Sequence, residues 1–269
     1  SFTGKEIGIL QSLREVPGFL SFLVVYLLLI IAEQRLALLS LFILGVGVAL
    51  TGYFPTIIGL YITTVISSIG FHYYEACHQS LSLQWLDKKT APERMGLIYS
   101  VASVAKFLVL GAIFTVYLLS LPEISWHALA SSTGLVTGLN SYQFTYLFTG
   151  LVTCGLAVVA YTIFPQFNET VQQTRRIILR KRYWLYYALT FISGARRQIF
   201  IVFASFLMVE KFGYSLTQIT ALFLLNAAFN ILLAPLVGKV ISRVGERVAL
   251  VFEYLGLIGV FMAYAFVED

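Results

Sequence analysis

The side chains of this sequence that could do chemistry are ionisable groups placed inside long apolar runs. Arg14 and Glu15, His72 and Glu75, Lys106, and the adjacent Arg196 and Arg197 each interrupt a stretch that is otherwise almost uncharged. A charge at the centre of a membrane-spanning helix costs about 2.5 kcal/mol or more, so such groups persist where they bind, pair or carry protons. His72, Glu75, Gln79 and Ser82 follow one another at spacings of three and four, which puts all four on one helical face. A polar stripe of this kind must face protein or water rather than lipid. Glu75, Glu15 and His72 are the candidates for proton coupling; the other reading of Glu75 is a static ion pair with Lys106.

Arg196, Arg197, Lys106, Arg14 and Gln79 are the candidates for contact with a substrate. Successive helical residues point about 100° apart, so Arg196 and Arg197 cannot both face one point. One is read as contacting substrate, the other as pairing with a carboxylate or with carbonyls, and Ser193 and Gly194 just before them are expected to interrupt the helix. A guanidinium offers a planar fork of donors suited to carboxylate or phosphate. Within the apolar runs Arg14, Lys106, Arg196 and Arg197 outnumber Glu15 and Glu75, and a bound anion is one way to balance that excess. No metal and no cofactor is expected: His72 and His78 do not share a face, and Cys77 and Cys154 stand singly in apolar runs as small hydrophobes. No phosphate-binding glycine loop or nucleophile elbow is present, so an enzyme is not expected, and Gly45 and Gly47 in "GVG" read as helix packing.

The elements that must position these groups follow from composition. The 269 residues are 59% hydrophobic and 12% charged, too few polar groups to cover a soluble domain. Apolar runs long enough to cross a hydrocarbon core of ~30 Å predict an all-α, polytopic helical membrane protein. The expected spans are 7–31, 36–53, 55–86, 95–120, 142–164, 183–210, 215–241 and 248–267, with a kink at Pro17 in the first. Every second connection is basic: "AEQR", "DKKTAPER", "QQTRRIILRKR" and "GKVISRVGER", whereas 121–141 holds no Lys or Arg. By the positive-inside rule the basic connections are cytoplasmic. "RRIILRKR" is then a topology determinant touching anionic lipid and not a nucleic-acid patch, and the sequon "NET" at 168–170 falls on the cytoplasmic side and is discounted. The polar opening "SFTGKE" does not read as a cleavable signal peptide.

Shifting the start of the chain by 212 residues aligns it without gaps on the segment from Tyr214 onward, and places Arg35 on Arg247. The decapeptide "GKVISRVGER", 238–247, resembles the pattern G-x-x-x-D-R-x-G-R-R/K found in the cytoplasmic loops of the major facilitator superfamily, with Gly238, Arg243, Gly245 and Arg247 at matching positions. Ser242 replaces the acidic residue and Glu246 one basic residue, and in the first-half copy only Arg35 matches. The resemblance implies a major-facilitator-type helical bundle covering helices two to nine of twelve: a first half at 1–165, a basic cytoplasmic linker at 166–182, and the start of a second half at 183–269. It implies that the uncharged spans 36–53 and 142–164 are peripheral, that the charged spans surround a central cavity or the seam between halves, and that Gly238, Arg243, Gly245 and Arg247 form a conformational latch. In that loop the glycines would allow a tight turn and a close approach of helix ends, and the arginines would bond a helix C-terminus or a carboxylate.

The expected function is secondary active transport of a small organic solute, anionic or zwitterionic, by alternating access and with possible proton coupling. The expected partners are that solute and the lipid bilayer, with no nucleic acid, for a monomer in a bacterial inner membrane. The competing reading is a transporter-like assembly or lipophilic-ligand delivery factor that transports nothing.

Overall fold

A computed structural model describes residues 4–87, 89–118, 141–167, 180–199 and 205–266. Among these residues no strand occurs, and helix lies at each of the eight expected positions. The helices are α1 (Gly4–Phe19), α2 (Val24–Leu27), α3 (Glu33–Thr51), α4 (Ile57–Trp85), α5 (Ala91–Leu118), α6 (Ser141–Ile163), α7 (Trp184–Ile199), α8 (Ser205–Glu210), α9 (Leu216–Val244) and α10 (Glu246–Phe266). Among the described residues six helical stretches are long and apolar enough to cross a membrane: Lys5–Leu27, Glu33–Thr51, Ile57–Trp85, Ala91–Ala112, Thr145–Ile163 and Thr217–Val244.

The first span stays α-helical through Pro17 to Phe19, then runs as a 3₁₀ segment, Leu20–Leu23, before α2 resumes.

The chain forms two compact units, one from 1–84 with 121–212 and one from 85–120 with 213–269. In the first, α3 lies between α4 and α6, and glycines bring the backbones together. A Cβ on Gly47 would fall 2.5 Å from the Ser67 nitrogen, one on Gly70 would fall 2.6 Å from the Ser40 carbonyl, and one on Gly45 would fall 2.6 Å from Cys154 Sγ. The "GVG" pair therefore packs in two directions, Gly47 toward α4 and Gly45 toward α6, the close backbone approach that small residues permit in membranes. Of the two spans read as peripheral, α3 is the more enclosed, with Leu36, Ala37, Ser40, Gly45 and Gly47 all buried, while α6 keeps an open apolar face that includes Phe148, Leu151 and Leu156. Cys77 is buried with Val24, Leu36 and Ala37 in a small apolar cluster, and both it and Cys154 are free thiols.

In the second unit α5 and α9 run antiparallel in close contact. A Cβ on Gly96 would lie 2.6 Å from the Ala234 carbonyl, and one on Gly238 would lie 2.6 Å from the Pro92 carbonyl. Pro235 lies inside α9 and cannot donate to the carbonyl of Ile231, four residues back; the Ser100 hydroxyl from α5 donates to it instead at 2.8 Å. The helix opens with a capping box, in which the Gln218 N–H donates to Ser215 Oγ at 3.2 Å and the Ser215 N–H to Gln218 Oε1 at 2.8 Å.

One expectation is corrected here. The decapeptide 238–247 is not an open loop, because α9 continues to Val244 and only Gly245 separates it from α10. The helix runs three residues beyond the expected end at 241, and Arg243 in its last turn complements the dipole. Gly245 makes the turn at φ +85° and ψ +153°, a region open essentially to glycine, and its N–H donates to the Ile241 carbonyl at 2.9 Å.

Candidate functional site

The most specific polar arrangement within the spans lies between α1 and α4. Two contacts fix the helices together: Ser68 Oγ donates to the Arg14 carbonyl, and Gly18 abuts the imidazole of His72, where a Cβ would meet Cε1 at 2.7 Å and Nε2 at 2.9 Å. Because Gly18 has no side chain, the ring lies directly over the backbone of α1. Glu15, one turn earlier, then brings Oε2 to 4.0 Å from His72 Nε2. The His72 side chain is 13% exposed, against 40% for Glu15. Nε2 itself is sealed from solvent and has no hydrogen-bond partner among the described residues. Leaving a buried polar atom unpaired costs about 1–3 kcal/mol, and an imidazolium at this place would instead have a carboxylate within ion-pair reach. The Phe71 ring, edge-on at 5.2 Å, closes another side of the imidazole.

The rest of the α4 stripe is arranged differently. Gln79 Nε2 donates to Glu75 Oε1 at 3.4 Å, as expected of neighbours four residues apart. Gln79 is exposed and Glu75 half-buried. The carboxylate that faces His72 is thus Glu15 from the other helix, and Glu75 has an amide beside it. His78 is stacked on Tyr74 at 5.6 Å. Among the described residues no group of three His, Cys, Asp or Glu side chains could hold a metal ion.

Of the cationic candidates, Arg14 is exposed and uses its carbonyl to receive Ser68, and Lys106 is exposed with its ammonium 5.6 Å from the centre of the Tyr99 ring on the same helix. Arg196 and Arg197 belong to α7, and their side chains lie outside the described residues. The expected break before them is corrected: α7 runs without interruption through Ser193 and Gly194. One glycine costs a helix only about 1 kcal/mol, which does not end it.

Of the latch candidates, Gly238 is buried against the start of α5 and Gly245 makes the turn. Arg243 and Arg247 are exposed, and among the described residues neither makes an ion pair. At the aligned loop of the first half, spacing gave no warning of what the structure holds. Gln34 Nε2 donates to the Pro165 carbonyl at 3.0 Å and the Phe167 N–H donates to Gln34 Oε1 at 3.1 Å. Gln84 Nε2 donates to Glu33 Oε2 at 2.7 Å, with Glu33 only 3% exposed. The one sequence signal nearby was Arg35, through its alignment with Arg247.

Long apolar helices held backbone to backbone by small residues, with titratable groups facing each other between spans, define a polytopic membrane protein of the transporter type. The sequence profile described as Major Facilitator Superfamily matches residues 1–268, and the chain belongs to that family. No curated protein and no solved structure matches it significantly. Members of the family are secondary transporters rather than enzymes, and this chain is an integral, multi-pass membrane protein.

Proposed function

We propose that the chain moves a small anionic or zwitterionic solute by alternating access, coupled to protons through His72 and Glu15. The observation that carries the reading is the sealed, unpartnered Nε2 of His72 at 4.0 Å from Glu15 Oε2. A positive charge on the imidazole would attract the Glu15 carboxylate across that 4.0 Å and draw α1 onto α4, an attraction a neutral ring does not supply. A proton therefore changes the contact between two spans, which is what coupling requires. The 3₁₀ segment at Leu20–Leu23 gives α1 a place to bend in response. Glu75, one turn from His72, is the next carboxylate on the route.

Arg14, Lys106, Arg196 and Arg197 favour an anionic group on the solute, with Arg196 or Arg197 as its principal contact and Gln79 as a neutral one. Gly238, Arg243, Gly245 and Arg247 serve as the cytoplasmic latch: Gly238 sets the close approach to α5, and the exposed arginines are free to engage a partner in another conformation. The protein acts as a monomer in a bacterial inner membrane, with solute and lipid as its partners.

The experiment is binding and uptake with a panel of labelled small carboxylates and amino acids, using the wild type, Arg196→Lys and Arg197→Lys. Lysine keeps the charge and loses the fork, so affinity falls in one variant while thermal stability is nearly unchanged. Unchanged affinity in both, or lost stability with no separate loss of affinity, removes the arginines from the binding site.

A further inference from the structure

The two aligned loops are built for different tasks. In the second, α9 and α10 are joined through Gly245 alone, whose surroundings are open, and the neighbouring arginines are exposed. In the first, Glu33 stands at the aligned position 212 residues earlier, buried in the first turn of α3, and the loop grips two other helix ends. Glu33 accepts from Gln84 at the end of α4, and Gln84 Nε2 also lies 3.1 Å from Ser80 Oγ. Gln34 presents its amide to the chain leaving α6, donating to Pro165 and accepting from Phe167 as a second peptide group would. A side-chain amide hydrogen-bonded at both ends to backbone is held in that orientation. A carboxylate at a helix N-terminus, buried and hydrogen-bonded, is stabilised where it stands.

We infer that Glu33 and Gln34 are positioning residues: they staple the ends of α3, α4 and α6 into one rigid body, so this loop does not open and close during transport, and the moving latch is the 238–247 segment alone. The staple holds α4, which bears His72 and Glu75, in fixed register against α3 and α6. The rigidity does not depend on proton coupling; only the last arm of its test uses the transport reading.

Hydrogen exchange of the protein in lipid nanodiscs tests it without a substrate. The Phe167 amide is expected to exchange as slowly as the amides of α3, and about tenfold faster in Gln34→Ala, the loss of one hydrogen bond. Fast exchange in the wild type, or no change in Gln34→Ala, overturns the staple. A second arm replaces Gln34 and Phe167 by cysteine in a chain carrying Cys77→Ala and Cys154→Ala, and joins them with a short, reductant-cleavable thiol cross-linker. The linked protein is expected to form readily and to keep the carboxylate-driven proton flux of its unlinked form. Flux that is lost on linking and regained with reductant makes the loop a moving latch and overturns the inference. Flux absent from both forms speaks against the transport reading instead, and the exchange result still decides the staple.

Discussion

Ser100 on α5 donates to the carbonyl of Ile231 on α9, 2.8 Å away, and that carbonyl is the one Pro235 leaves without its helical N–H. The side chain repairs the helix across a helix pair. Removing the hydroxyl leaves a half-buried acceptor unsatisfied, so Ser100→Ala is expected to cost about 1–3 kcal/mol. Pro235→Ala restores an N–H to Ile231, and the double variant should therefore lose much less than Ser100→Ala alone. Thermal unfolding of the four proteins in detergent checks this; strictly additive effects would show that Ser100 does not answer the proline.

Glycines in this bundle divide into those that allow contact and those that only weaken a helix. Gly47→Ala puts a Cβ 2.5 Å from the Ser67 backbone and is expected to destabilise by about 1–3 kcal/mol. Gly194 lies in a continuous helix with nothing within 4 Å of an added Cβ, so Gly194→Ala should stabilise by about 0.4–1 kcal/mol. The two shifts in melting temperature should have opposite signs.

At Gly245 the cost is conformational. Its φ of +85° with ψ of +153° excludes a side chain whatever the space around it, and Gly245→Ala is expected to cost about 1–3 kcal/mol or to reshape the turn. A cysteine introduced at Arg243 should be labelled by a membrane-impermeant thiol reagent only from the cytoplasmic side; labelling from the opposite side would reverse the topology.

The helices themselves were readable in sequence because an apolar run of membrane length has one stable form. Gly45 and Gly47 were readable as packing for the same kind of reason, since in an apolar span a small residue has little else to offer. Helix ends were less readable. Ser242 and Arg243 look like loop residues by polarity, yet they continue α9, Arg243 in the last turn where the helix dipole favours a cation, and Gly194 looked like a break that helical hydrogen bonding absorbs. The stripe from His72 to Gln79 followed from spacing, but which carboxylate faces the imidazole depends on how α1 packs on α4. Spacing put Glu75 on the same face as His72 and named Glu15 only as a further candidate; the packing is what brings Glu15 to the imidazole. Gln34 was invisible, since its partners stand 131 and 133 residues away and no periodicity links them.

Gly18 sets the distance between α1 and His72. A methyl there meets Cε1 at 2.7 Å, so Gly18→Ala should push the imidazole away from Glu15. The expected result is a loss of about 1–3 kcal/mol of stability together with an altered pH dependence of uptake. A variant that is merely less stable and keeps the wild-type pH profile would detach Gly18 from coupling.

Proton movement through the purified protein tests the coupling most directly. Proteoliposomes loaded with a pH-sensitive dye are exposed to small carboxylates such as lactate, succinate and glutamate under an imposed pH gradient, with the wild type, Glu15→Gln and His72→Asn compared side by side. The expected result is that at least one carboxylate drives proton flux in the wild type and that both substitutions abolish it while the proteins remain folded. Solute uptake that ignores the pH gradient and continues unchanged in both variants would contradict coupling through His72 and Glu15.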